Sequence, residues 1–467
     1  MLRLLSTNNV FNLLIFFLFF LGLRIVTLFT NELVSFPELT WLTLADKLGE
    51  NRLIYHQLES TLSPLCALLY YFIDILFGKS FLAHRIVASC FVFFHAIMFQ
   101  KLCADYKLFP KKTFLPFYFY LLFSCFHQEF LYLSPKLLAT TFVISLWYYL
   151  FDTYKQKTKS SYHYTIGFLL GLSTMCYFNY ILLIVPIFVC FFRFSTTTRI
   201  KSLRFLLGFF IPYIFLLFYY YYFDATESLY HQLIASLGFQ QPITYYFSLT
   251  RNLLLFISPL ALLCLGLLSF FKSPLITKVD KDIHYSFLLF GVFLLLISCL
   301  DSTGSMGRFQ LLIPFFTFFS TFYFIAPQRQ LVKNISFSIL SFLIIYFGLF
   351  FNSNYLTQKK YFDFSGLYLS KTTESTIKDK KVLVLGDGKI YWNNNTASTR
   401  FINWNLSKKY FDGIDDLKNQ LTVYNEFALD MPEVIVDLEE KMPLVFEKIP
   451  SLKVLYAQKD RTYFLKE

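Results

Sequence analysis

Long apolar runs recur along the first 350 positions and then stop. They fall at about 10–30, 81–103, 113–130, 135–152, 162–177, 179–195, 202–222, 249–271, 285–301, 309–326 and 334–352. About 20 apolar residues cross a ~30 Å hydrocarbon core. In lipid only helices or closed barrels satisfy the backbone, and these runs are too long and too uniformly apolar for barrel strands. The pattern predicts a polytopic α-helical membrane protein with eleven spans. The first run has no A-x-A-like cleavage site and reads as a retained span.

The loop at 31–80 breaks the pattern. LTWLTLADKL (39–48) has amphipathic helical spacing. PLCALLYYFIDILFG (64–78) is apolar but only about 15 residues long, and it contains Asp74. Loop charge decides whether it crosses. If it does not, the loops on the N-terminal side hold sixteen basic residues, among them Arg3, Lys111, Arg199 and Lys333. The opposite loops hold four: Lys47, Arg52, Lys79 and Arg308. Arg85, Lys136 and Arg251 at the outer span ends make seven. Positive charge favours the cytoplasmic side. Pro64–Gly78 is therefore predicted as an interfacial helix, with Tyr70 and Tyr71 at the headgroup level. The N-terminus is then cytoplasmic, and the loop and the C-terminal tail both lie outside.

From Ser353 onward charged residues become dense. KVLVLGD (381–387), PEVIVDL (432–438) and TYFLK (462–466) read as strands, and about 413–427 and 443–457 as helices. The expectation is a transmembrane domain over 1–352 and a small soluble α/β domain over 353–467 with a partly parallel sheet.

Composition agrees. Of 467 residues 56% are hydrophobic and 21% aromatic, while 15% are charged, against about 25% in soluble domains. The net charge of +12 is scattered over short loops. That suits positive-inside topology and anionic lipid, and it argues against a nucleic-acid partner. The eight cysteines lie in or beside apolar runs without a CxxC spacing, so they read as small buried hydrophobes.

Six carboxylates crowd the first loop region: Glu32, Glu38, Asp46, Glu50, Glu59 and Asp74. Chemistry at an outer membrane face commonly draws on lipid-carried substrates. A lipid-phosphate sugar donor needs cations for its phosphate and a carboxylate to deprotonate the acceptor hydroxyl.

Three pieces carry a resemblance. Pro64-Leu65, Leu69 and Leu76-Phe77-Gly78-Lys79-Ser80-Phe81-Leu82-Ala83-His84-Arg85 follow a P-L-x-x-x-L…L-F-G-x-S-x-x-A-x-R order. Upstream stands Gly49…Tyr55, and Gly307-Arg308-Phe309-Gln310-Leu311-Leu312-Ile313-Pro314 lies near the end of the bundle. Together they resemble the GT-C superfamily of integral membrane glycosyltransferases, of the polyprenyl-phosphate-sugar type. The resemblance implies an inverting transferase in a bacterial inner membrane. It would move a sugar from a polyprenyl-phosphate donor to a cell-envelope acceptor at the outer face. Relatives often carry an acid two positions after the loop tyrosine, where this chain has Gln57. Glu38 or Glu59 is then expected to serve as base or metal ligand, with a divalent cation as the candidate cofactor. Arg85 and Arg308 would hold the donor phosphate, since a guanidinium binds two oxygens at once. Tyr55 and His56 would contact substrate. Membrane lipid and the lipid-linked sugar are the expected partners. A non-catalytic envelope anchor and a lipid or polymer transporter remain open, although the chain has no repeated halves.

Plainer readings stand beside these. Glu38 suits a helix first turn, and Arg85 suits snorkelling to lipid phosphate. Asp46 and Glu50 suit a solvated face. Glu129 and Lys136 suit a mutual pair. Arg24 is an intramembrane charge. GDGK (386–389) reads as a turn, since it lacks the remaining phosphate-loop residues.

Overall fold

The computed structural model describes residues 10–30, 33–154, 161–194, 199–236, 257–272, 278–300, 306–326, 329–353, 368–370 and 377–466. Arg3, Glu32, the basic turn at 155–159, Arg251, Asp301 and the stretch just after the 352/353 boundary lie outside the described residues. The chain divides into two compact units: Met1–Glu32, His84–Tyr219 and Ala235–Leu367 form one; Leu33–Ala83, Tyr220–Ile234 and Tyr368–Glu467 form the other.

The first unit is helical. Each of the eleven apolar runs carries a helix, but among the described residues only four are both long and apolar enough to cross a bilayer. These are Phe81–Asp105, Arg199–Tyr222, Lys281–Leu300 and Gly307–Ile325. The count of eleven crossings is therefore not reached, for reasons visible in single segments. The run at 113–130 yields a helix of only 10 residues, Leu115–Ser124. It rises about 15 Å before the chain turns through a 3-10 segment, Gln128–Leu131. The run at 179–195 is split into a 3-10 segment, Phe178–Leu183, and the helix Ile184–Phe194.

The spans differ in position. Gly307–Ile325 is 89% buried within the protein, whereas Arg199–Tyr222 is only 22% buried. The second therefore presents Phe210, Phe215, Leu217 and Phe218 to its surroundings. Such a face is costly in water at about 25 cal/mol per Å² and is at home in lipid. Two glycines fix one crossing. A Cβ on Gly167 would collide with the Phe205 carbonyl, and one on Gly208 with that of Tyr164. Small residues allow this backbone approach, as is usual between membrane helices.

The second unit contains the first loop and the tail. Strand β1 (Leu33–Ser35) pairs antiparallel with β2 (Tyr368–Ser370). Residues more than 330 positions apart are thereby tied into one body. The main sheet has the order β4-β3-β5-β7-β6, from Thr396–Ala397, Lys381–Leu385, Val434–Asp437, Thr462–Leu465 and Tyr456–Lys459. β4, β3 and β5 are parallel, and β7 and β6 run antiparallel. The three expected strands are present. The helix expected at 413–427 is Leu417–Leu429, started by Asp416, whose carboxylate accepts from Lys418 N.

The helix expected at 443–457 is corrected. Pro450 interrupts the hydrogen-bond ladder, giving two short helices, Met442–Lys448 and Pro450–Leu455. The remainder becomes strand β6. The domain core gathers Leu383, Leu385, Phe411, Phe427, Ile435 and Val445.

Helix Pro64–Phe77 has 14 residues, about 21 Å, too short for a ~30 Å core. Cys66, Ala67, Tyr70 and Ile73 are buried, while Leu68, Phe72, Ile75 and Leu76 are exposed. The helix is apolar on both faces, one packed within the unit and one exposed at helical spacing. Tyr70 departs from its expected place at the headgroups. It is fully buried and stacks on Trp41, ring centroids 5.8 Å apart.

Candidate functional site

Each unit holds candidate residues. In the loop-and-tail unit, Ser35 caps helix Phe36–Leu48, its Oγ accepting from Glu38 N at 3.2 Å. Pro37 stands in the first turn, where its missing N–H costs nothing. Glu38 is buried in that turn, where an acid also answers the helix dipole. The helix ends at Leu48, so Glu50 leaves the face expected for it and Asp46 and pairs with Lys47 at 2.8 Å.

The loop beyond is held by its own turn. Tyr55 sits at φ 68°, a region that bulky side chains rarely adopt. Its OH donates to the Leu62 carbonyl, and its ring stacks with Tyr220 at 6.1 Å. His56 is exposed and meets Ser228 Oγ at 3.1 Å. Gln57 Oε1 accepts from Leu53 N at 2.7 Å, which gives this residue a structural use where an acid was looked for.

Glu59 is engaged by the tail. Its Oε1 accepts from Arg400 Nη2 at 3.1 Å and from Tyr410 OH at 3.0 Å. Its N–H donates to the Arg400 carbonyl at 3.1 Å. Burial, then the Glu59 charge, pushes the Tyr410 phenol up to about 12. Glu59 also lines a small cleft together with Trp41, Thr61 and Asn403.

A second network lies in the same unit. Lys47 Nζ donates to Asp430 Oδ2 at 2.6 Å. Asp430 also takes Lys381 at 3.1 Å, Arg52 at 3.2 Å and Thr399 N at 3.0 Å. Burial raises the Asp430 pKa, but the Lys47 and Lys381 ammonium groups and Thr399 N outweigh it, and the net shift is downward. Glu426 goes the other way: burial raises it more than Arg400 and Arg52 lower it.

In the helical unit, Arg85 and the segment that carries Arg308 meet the same turn. Arg85, near the start of helix Phe81–Asp105, is buried with its guanidinium over the Tyr132 ring at 5.1 Å. Arg308 lies in the 3-10 segment Met306–Leu312 that leads into helix Ile313–Ile325. That segment holds the turn twice. Gly307 N donates to the Glu129 carboxylate, and Ser134 Oγ donates to Gln310 Oε1 at 2.5 Å. Glu129 is thus bound by backbone, while Lys136 lies over Tyr177 at 5.5 Å.

Arg308 is 9% exposed. Its Nε is buried without a hydrogen-bond partner, and no carboxylate pairs with it among the described residues. Arg24, inside the first helix, donates from Nη2 to the Ser124 carbonyl at 3.3 Å. It thereby answers the negative end of helix Leu115–Ser124.

Among the described residues no three His, Cys, Asp or Glu side chains stand together as a cation site. The described loop carboxylates therefore form no cluster that would hold a divalent ion. Sequence reasoning missed Trp41, Arg400, Asn403 and Tyr410. Only Asn403 carries a local signal, as an asparagine just before an amphipathic helix.

These features define a helical membrane protein with a small α/β domain. No protein-family model matches the chain, and no curated protein matches it in sequence.

Proposed function

We propose that the chain is a membrane glycosyltransferase of GT-C-like layout. It transfers a sugar from a polyprenyl-phosphate donor to a cell-envelope acceptor at the outer face of a bacterial inner membrane. The supporting observation is Arg308, a buried guanidinium with no carboxylate partner among the described residues. A buried charge without a counter-charge costs several kcal/mol, and an anion bound at Arg308 would offset that cost. A lipid phosphate is the anion that a bilayer-embedded unit meets.

In this reading Arg85 and Arg308 hold the donor phosphate. The acceptor hydroxyl attacks the anomeric carbon, and the bond to the phosphate oxygen breaks. Glu59 or Glu38 takes the hydroxyl proton, and polyprenyl phosphate leaves. Attack opposite the leaving group inverts the centre. The C-terminal domain is extracytoplasmic and the N-terminus cytoplasmic. The shared body of loop and tail supports an even number of crossings between them.

Glu38→Gln and Glu59→Gln, made singly, test the assignment. Loss of a general base slows transfer by about 10²–10⁴-fold, read as loss of the envelope glycan product. Unchanged product in both variants contradicts it. One observation favours a second reading, a non-catalytic envelope anchor: Glu59 Oε1 is already held by Arg400 and Tyr410. In that case Glu59→Gln loosens the loop-and-tail unit and leaves the glycans intact.

A further inference from the structure

We propose that the cleft in the loop-and-tail unit binds one ring of a neutral, hydroxyl-rich sugar. Its identification as the acceptor's subsite rests on the transferase reading; the binding itself does not. The cleft is small, about 40 Å³, so it takes an edge of one ring at most and excludes a bulky lipid. Three separate segments build it: Thr40, Trp41 and Leu44 from the first loop helix, Glu59 to Leu62 from the connector, and Ile402 and Asn403 from the tail.

The wall chemistry selects the ligand. Trp41 is half-buried, and Tyr70 stacks on it at 27° between planes, so the indole is a fixed apolar plate for the C–H face of a pyranose. Glu59 Oε1 is taken, but Oε2 receives no hydrogen bond from any described residue. Thr61 is exposed and its hydroxyl likewise has no partner among the described residues.

Asn403 is the most informative. It is the N-cap of helix Trp404–Asp412, a position where asparagine ordinarily accepts from the first-turn amides, yet its side chain makes no capping bond. A residue that breaks its local rule at a cleft points to a ligand. Its amide offers two donors and an acceptor. The Arg400–Glu59 pair cancels the one formal charge in the wall. Anions meet a carboxylate and cations meet a neutralised one, so a neutral polyol is the class that remains.

The test is saturation-transfer NMR on the full chain in nanodiscs free of glycosidic detergent, with glucose, mannose and N-acetylglucosamine as separate probes. At least one probe is expected to receive saturation from the wild type. Its affinity should fall at least about tenfold in Trp41→Ala and Asn403→Ala, the size of one lost hydrogen bond or ring contact. Trp41→Ala also removes the partner of Tyr70. Asn403→Ala and Thr61→Ala, which forfeit no hydrogen bond within the protein, carry the test if that variant does not fold. No transfer to any probe, or equal transfer in all variants, overturns the proposal. Stabilisation by polyprenyl phosphate, measured on the same samples, depends on Arg308 and not on the cleft. It therefore separates a failure here from a failure of the transferase reading.

Discussion

Asp430→Asn is expected to destabilise the loop-and-tail unit by about 3–5 kcal/mol. Lys47 is 1% exposed and its ammonium lies 2.6 Å from Asp430 Oδ2. Without that carboxylate a buried cation keeps only Glu50, whose side chain is 42% exposed and screened by water. Lys381 loses its partner as well, while Arg52 keeps Glu426 and Glu50. Adding Lys47→Met to Asp430→Asn should recover part of the loss, because the buried cation is removed with its partner.

Three of the four tryptophans, Trp41, Trp392 and Trp404, lie in this unit, so denaturant unfolding followed by tryptophan fluorescence reports it. The sign with pH is fixed. Asp430 titrates below its usual range, so its contribution is present above the unfolded carboxyl pKa of about 3.9. It is lost as pH falls through the lower folded value. Wild type and Asp430→Asn should therefore converge in acid. A loss below about 1 kcal/mol at neutral pH would match a surface pair and remove this ion pair as the clamp between loop and tail.

The second large effect concerns Arg308. Arg308→Gln is expected to reduce transfer by about 10²–10³-fold, the cost of deleting one preorganised group that stabilises developing charge. It also has a signature that activity alone cannot give. Without lipid phosphate the wild type carries a buried guanidinium with an unbonded Nε and no carboxylate partner among the described residues, so the glutamine variant should melt at the same or a higher temperature. With polyprenyl phosphate at about 100 Kd the wild type should gain about 2.7 kcal/mol, and the variant little. Arg308→Lys keeps the charge but loses the planar fork, so it should fall between the two. Equal stabilisation of wild type and Arg308→Gln would place the phosphate elsewhere.

The architecture was legible where the chemistry is local. Apolar runs gave helices, and KVLVL, VIVD and TYFL gave strands, because each signal lies within one element. Loop charge kept Pro64–Phe77 out of the list of spans, and its 14 residues are too few to span a bilayer. The span count failed because apolarity does not reveal where a helix stops: Leu115–Ser124 is as apolar as its neighbours and half the needed length. Tyr70 was misplaced because its partner, Trp41, lies on a different helix. At the candidate site the acids were visible as residue types and their partners were not. Glu59 meets Arg400 and Lys47 meets Asp430 across more than 340 positions, and no spacing rule in a single sequence encodes such a pairing.

Single-cysteine labelling tests most directly whether loop and tail share the outer face. With the native cysteines replaced, Thr61→Cys, Lys459→Cys and Lys111→Cys each place a thiol at an exposed position. A membrane-impermeant thiol reagent applied to intact cells or spheroplasts should label the first two and spare the third until the membrane is opened. Labelling of Thr61→Cys and Lys459→Cys from opposite sides would contradict the joint unit. Labelling of Lys111→Cys alone from outside would invert the topology and remove the outer-face transferase with it.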